Sequence, residues 1–143
     1  MRRLAALLAA ALPLLTAARD RPPDDLLASN MAECAFTALV RVDHAKVAQT
    51  LKDDNGRAGY VTIEFDVTVL ESFAGPAHDA IVLYETAEAP AQPPKDGERF
   101  VVSFKLQRDG HFVVPDSGYI FPSDRDVIEH ARQLGRRTLI KKN

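Results

Sequence analysis

The sequence predicts a mainly β domain: a small sheet of about five strands wrapped around one core, with a short helix before it and a second helix after it. Three observations predict this. Between Tyr60 and Leu70, Val61, Ile63, Phe65, Val67 and Val69 alternate with Thr62, Glu64, Asp66 and Thr68, which is the period of two that a half-buried strand requires. Phe100, Val102, Phe104 and Leu106 repeat the pattern against Arg99, Ser103 and Lys105. Helical spacing of apolar residues is confined to the two ends, at Leu26, Leu27, Met31 and Cys34 and again at Val127, Ile128, Ala131 and Leu134.

The first 18 residues form a separate kind of segment. Arg2 and Arg3 precede an apolar run from Leu4 to Leu15, broken only by Pro13, and Thr16, Ala17 and Ala18 follow as small residues. That is the layout of a secretory signal peptide, here spanning 1–18 with cleavage near Ala18. The run would be about 18 Å long as a helix, against a hydrocarbon core of about 30 Å, so it is too short to span a bilayer. The expected mature chain, Arg19 onward, keeps about 125 residues, enough for one domain with its own core. It is expected in the periplasm or outside the cell, with no membrane span.

The formal charge of the full sequence is −2, and loss of Arg2 and Arg3 makes the mature chain more negative still. A net acidic, exported chain argues against nucleic acid as a partner. One local exception is the tail, where Arg132, Arg136, Arg137, Lys141 and Lys142 cluster. The plain reading is a solvated helix end, placed favourably against the helix dipole. A single cysteine cannot form an intrachain disulfide, so the core must hold the fold unaided.

In chain order, residues 19–35 are a charged, proline-containing leader and a short helix from Asp24 to Cys34, with Asp24 and Asp25 at its N-terminus. The first strand runs from Phe36 to Val47. Its inward set Phe36, Ala38, Val40 and Val42 gives way to Ala45 and Val47, the one-residue slip that a β-bulge produces. Lys52 to Gly59 is a polar hairpin loop, and the second strand, Val61 to Leu70, ends ahead of the Gly75-Pro76 turn. Ala80 to Glu85 reads as a continuously apolar third strand, and Thr86 to Glu98 as a loop broken by Pro90, Pro93 and Pro94. The fourth strand is followed by an Asp109-Gly110 turn into His111 to Val114. Ser123 then caps a final helix that Gly135 stops, leaving 123–143 as helix and basic tail. Residues 36–122 therefore form the barrel. Hairpin, long loop, hairpin and terminal helix in this order fit a five-stranded Greek-key barrel of the OB type.

Several segments also carry a family resemblance. Ala38-Leu39-Val40-Arg41-Val42, Phe65 to Gly75 with its Phe73-Ala74-Gly75 exit, the glycine-led strand Lys95 to Phe104, and Ser117-Gly118-Tyr119-Ile120-Phe121 resemble the strands of netrin-like or tissue-inhibitor-of-metalloproteinase-like domains, including those of exported bacterial proteins. The resemblance covers Phe36 to Phe121 and implies an OB-like barrel. The family's zinc-chelating N-terminal cysteine has no counterpart here, because the mature chain would begin at Arg19 and its cysteine is Cys34. Protease inhibition by that device is not carried across.

No motif fixes a catalytic, cofactor-binding or metal-binding residue. Cys34 has three readings: a small buried apolar residue, which Leu26, Leu27, Met31 and Phe36 favour, a disulfide to a second chain, or a reactive thiol. A thiol or hydrolytic enzyme would pair Cys34 with His44, the nearest histidine. His44, His78, His111 and His130 lack metal-ligand spacing, and Asp53-Asp54-Asn55-Gly56 lacks the alternation and final glutamate of a calcium loop. Tyr60 and Tyr84 lack the basic surroundings of a nucleic-acid platform, and Glu64 and Asp66 read as a solvated face. The remaining candidates are rim segments suited to protein contact: Thr86 to Pro94, Phe73 to Pro76, and Ser117 to Phe121. The expectation is an exported, non-enzymatic barrel domain, monomer or weak dimer, with a protein partner in the envelope or outside the cell. The alternatives are the Cys34–His44 enzyme and a homodimer bridged by Cys34.

Overall fold

A computed structural model describes residues 24–142. The expected signal peptide and leader, 1–23, lie outside the described residues. In chain order the elements are α1 (Asp24–Glu33), β1 (Phe36–Lys52), β2 (Ala58–Ala74), β3 (Ala80–Glu88), β4 (Arg99–Leu106), β5 (Phe112–Val114), a 3-10 turn (Ser117–Tyr119), β6 (Ile120–Pro122) and α2 (Arg125–Ile140). The fold is mainly β with a helix at each end, as the alternation predicts.

The strands form one six-stranded sheet in the order β1-β2-β3-β5-β4-β6, and an additional β1–β4 pairing returns the sheet on itself. The ring is uneven. β1 and β2 pair antiparallel along almost their whole 17-residue lengths, whereas β3 meets β5 in parallel only at Leu83–Phe112, Tyr84–Val113 and Glu85–Val114. β4 pairs with β1 from Phe36–Phe104 to Arg41–Arg99. Two backbone bonds, Val42 N to Glu98 O at 2.8 Å and Gly97 N to Val42 O at 2.7 Å, carry that seam one residue further. From Asp43 to Lys52, β1 has β2 on one side and no described strand on the other.

Two cores result from the alternation. The inward set Phe36, Ala38, Val40, Val42, Val61, Ile63, Phe65, Val67, Leu83, Phe100, Val102, Phe104 and Val114 fills the ring. Outside it, Leu39, Val101, Phe121 and Phe73 meet Leu27 of α1 and Ala131 of α2. Both helices therefore lie on the outer face of β1, β4 and β6, and this corrects the expectation for β4. Its sequence reads as amphipathic, yet Phe100 to Phe104 are all buried, because the helices cover the face that alternation assigns to solvent. Ser103 bonds Thr37 there, Oγ to Oγ1, at 2.8 Å.

The structure corrects several boundaries. Among the described residues six strands form rather than five, since Ile120–Pro122 pairs with β4. β1 does bulge where the phase slips, between Val42 and His44, but it continues past Val47 to Lys52. β2 does not end at Leu70. Its register against β1 shifts there, and the slip carries Phe73 into the second core. β3 runs to Glu88 and alternates, with Val82 exposed between buried Ile81 and Leu83. The cap of α2 is Asp124, not Ser123. Nor does Gly135 stop α2, which continues to Ile140. Gly135 is instead where the helix presses on β2, so that a Cβ there would collide with the Phe73 carbonyl.

The two hairpin turns use one solution. Gly56 N bonds Asp53 O at 2.9 Å and Gly110 N bonds Gln107 O at 3.0 Å, with φ of 77° at Gly56 and 87° at Gly110. Only glycine adopts that left-handed geometry without strain. Asp109 keeps a negative φ, and its Oδ1 accepts from His111 N at 3.0 Å.

Candidate functional site

Cys34 follows α1 directly and is 4 % exposed. Beside it, Glu33 takes two short bonds, from Lys105 Nζ to Oε1 at 2.7 Å and from the Tyr119 hydroxyl to Oε2 at 2.7 Å. These lower the Glu33 carboxyl below its usual range and push the Tyr119 hydroxyl up to about 12. Burial raises the Cys34 thiol despite the Lys105 charge nearby, so the neutral thiol is favoured at neutral pH. The group latches α1 to β4 and to the 3-10 turn. Buried Asn30 adds a bond from Nδ2 to Gly118 O at 2.9 Å.

The structure does not bring Cys34 and His44 together. Cys34 precedes the stretch Phe36–Arg41 that pairs with β4, and His44 follows it, so the two stand at opposite ends of that pairing. His44 faces solvent, with Nδ1 3.7 Å from Asp96 Oδ1. The other histidines are equally dispersed. The His78 ring packs on Phe36 and Phe112, with centroids at 5.8 and 5.3 Å, and its buried Nε2 has no hydrogen-bond partner among the described residues. His111 Nδ1 is 3.0 Å from Asp109 Oδ2, and His130 is half-buried on α2. Among the described residues, no three His, Cys, Asp or Glu side chains converge to hold a metal ion.

The outer face of β1, β2 and β3 carries a polar network that the sequence reading treats as plain solvated surface. Lys46 Nζ lies 3.1 Å from Glu64 Oε1, and this ammonium lowers the Glu64 carboxyl. The Tyr84 hydroxyl faces Glu64 and is raised, by burial first and then by that carboxylate. Tyr84 stacks edge-on with His111, centroids 5.0 Å apart. Glu64 is thus a partnered group; the register that places Lys46 opposite it across the strand pair and Tyr84 on its other side depends on the Asp43 bulge.

Glu85 was missed from sequence altogether, because it closes an apolar run. Strand alternation turns it inward after Ile81 and Leu83, and it is 6 % exposed. Its carboxyl has no hydrogen bond or ion pair among the described residues. Burial, and secondarily the Asp116 charge, raise its pKa.

The rim segments expected to make contacts are largely turned inward. Phe73 and Phe121 belong to the second core, Ala89 and Ala91 pack on the first, and Tyr119 holds Glu33. The exposed large apolar residues among those described lie elsewhere: Leu26 on α1, Val47, Leu51 and Tyr60 on the far end of the β1–β2 ribbon, Leu70 on β2, Val82 on β3, Leu106 at the end of β4, and Leu139 and Ile140 at the end of α2. A cleft of about 220 Å³ lies between β2 and α2, lined by Glu71, Ser72, Phe73, Arg132, Gly135, Arg136 and Leu139. Arg132 crosses it to clasp Glu71 in a bidentate pair, Nε to Oε1 at 2.7 Å and Nη2 to Oε2 at 2.8 Å.

No described helix is long and apolar enough to cross a membrane. Comparison of the chain with protein-family models and with curated proteins finds no match.

Proposed function

We propose that the protein is an exported, non-enzymatic barrel domain of the OB type, akin to netrin-like and inhibitor-like domains, that acts by protein contact through the open edge of β1. A partly open five-strand ring, β1-β2-β3-β5-β4 returning to β1, supports the OB reading. The observation that carries the contact reading is the edge itself. Among the described residues the strand is paired on one side only from Asp43 to Lys52, and it exposes Val47 and Leu51 there. Unpaired main-chain groups on a strand edge accept an added strand, and side chains alternating along it select the partner. The partner chemistry is an extended polypeptide segment with apolar residues set to lie beside Val47 and Leu51. Neither alternative draws comparable support: His44, the base the enzyme reading needs, does not face Cys34, burial keeps that thiol neutral, and a disulfide between chains needs a sulfur that is not buried.

The test is a photo-crosslinking side chain at Val47 in cells that export the protein, compared with the same group at Arg108 on the β4–β5 turn. A discrete protein adduct from position 47, absent from 108 and lost when Leu51→Lys places a charge on the edge, is the expected result. Adducts of equal yield from both positions, or an adduct indifferent to Leu51→Lys, overturn the reading.

A further inference from the structure

The last turns of α2 are more than a helix end that satisfies its dipole. Along α2 the apolar stripe Ile128, Ala131 and Leu134 is covered by the second core, and cover ends where Gly135 meets Phe73. One turn further on, Leu139 continues the stripe at 68 % exposed and Ile140 follows at 75 %. Two adjacent large apolar side chains left in water are costly to leave uncovered.

Their surroundings select what covers them. Arg136, Arg137, Lys141 and Lys142 flank the pair, and none of the four forms an ion pair among the described residues. Arg136 merely lies close enough to Glu71 to lower that carboxyl. No acidic residue occurs after Glu129. A chain of net charge −2 therefore gathers Arg136, Arg137, Lys141 and Lys142 along the same helical segment as an exposed apolar pair. A helix dipole accounts for one or two cations at a C-terminus, but not for four cations within one turn of two exposed aliphatic side chains.

We infer that the end of α2 docks on an anionic lipid bilayer, Leu139 and Ile140 entering the headgroup layer while Arg136, Arg137, Lys141 and Lys142 engage the lipid charges. Shallow apolar insertion and a basic cluster are the two contributions that together give surface binding. Docking there leaves the β1 edge free, since that edge belongs to a different part of the ring.

The chain contains no tryptophan, so Ile140→Trp in the full chain reports on this site and not on the apolar N-terminal run. Vesicles of phosphatidylcholine with phosphatidylglycerol are expected to shift its emission to the blue, with quenching by brominated acyl chains, while phosphatidylcholine alone leaves it unchanged. Adding Arg137→Gln or Lys141→Gln is expected to weaken binding about fivefold per charge, and Leu139→Ser to weaken it further, each with an unaltered far-ultraviolet spectrum. The proposal fails if anionic vesicles give no shift at low salt or if neutral vesicles give the same shift. It fails equally if polyglutamate displaces the signal at concentrations matching the lipid charge, which makes an acidic polypeptide the occupant.

Discussion

On β3 the inward positions are Ile81, Leu83 and Glu85, so a carboxyl sits where two aliphatic side chains precede it. Its folded pKa is raised above the ordinary 4.5, and the linkage sign follows. Below the unfolded value both states hold the proton and stability is complete; as pH rises through the folded value the protein must either hold a proton or bury a charge, and stability falls. Glu85→Gln removes that loss. Urea unfolding is expected to give the variant a higher midpoint than the parent at pH 7, the gap closing toward pH 4; equal midpoints at pH 7 would show that the carboxyl is solvated. The buried hydroxyl pair behaves differently. Thr37 and Ser103 share one bond of 2.8 Å beneath the helices, both fully buried, so Ser103→Ala strands the Thr37 hydroxyl at a cost of about 1–3 kcal/mol. Thr37→Val with Ser103→Ala removes both polar groups at nearly constant shape and is expected to recover most of that loss. A double-mutant cycle by denaturant titration checks the sign of the coupling.

At the scale of elements, α2 and β2 meet at a glycine chosen for contact rather than for helix termination. Helix propensity alone predicts that Gly135→Ala gains about 1 kcal/mol. The Cβ would strike the Phe73 carbonyl, which belongs to a paired strand and cannot yield cheaply, so overpacking of about 1–3 kcal/mol wins. Thermal unfolding is expected to show a lower midpoint for Gly135→Ala; a higher one would mean that α2 slides freely on β2. The same residue marks the limit of sequence reading. Gly135 near a helix end looks like a stop because propensity is local, while its true constraint is a tertiary contact. Elsewhere the alternation of Tyr60 to Leu70 and the slip near His44 were legible, since each leaves a change of period in the chain. The continuation of β2 through Leu70 was not, because a bulge and a strand end both break the period. Burial on both faces of β4 was hidden for another reason: Val101 and Ser103 lie under helices whose docking no strand pattern encodes. Of the candidate site, little was legible. The apolar rim residues Phe73 and Phe121 are core, and the open β1 edge has no buried face to announce it.

Across the whole molecule, the uneven ring implies an uneven distribution of stability. Phe36 to Arg41 of β1 is paired on both sides, to β2 and to β4, and lies between the two cores. The stretch from Asp43 to Lys52 belongs to the same strand, yet only β2 supports it and its residues are nearly all exposed. Backbone bonds open with free energies set by the packing around them, so one continuous strand is expected to divide into a slow and a fast half. Its register against β2 shifts at Asp43 and again between Val47 and Gln49, which loosens the outer ribbon further. This couples the fold to the proposed contact. A half-supported edge stays accessible to an added strand because the ring does not close over it, and the inner half anchors that edge in the core. Hydrogen exchange read by mass spectrometry is expected to show amides of 37–42 exchanging only on global unfolding and those of 46–52 exchanging orders of magnitude faster. An extended partner segment bound at the edge is expected to slow 46–52 selectively. Uniform protection along β1 in the free protein would mean that the outer ribbon is held by contacts on its far side, and the open-edge account of the contact site would fall with it.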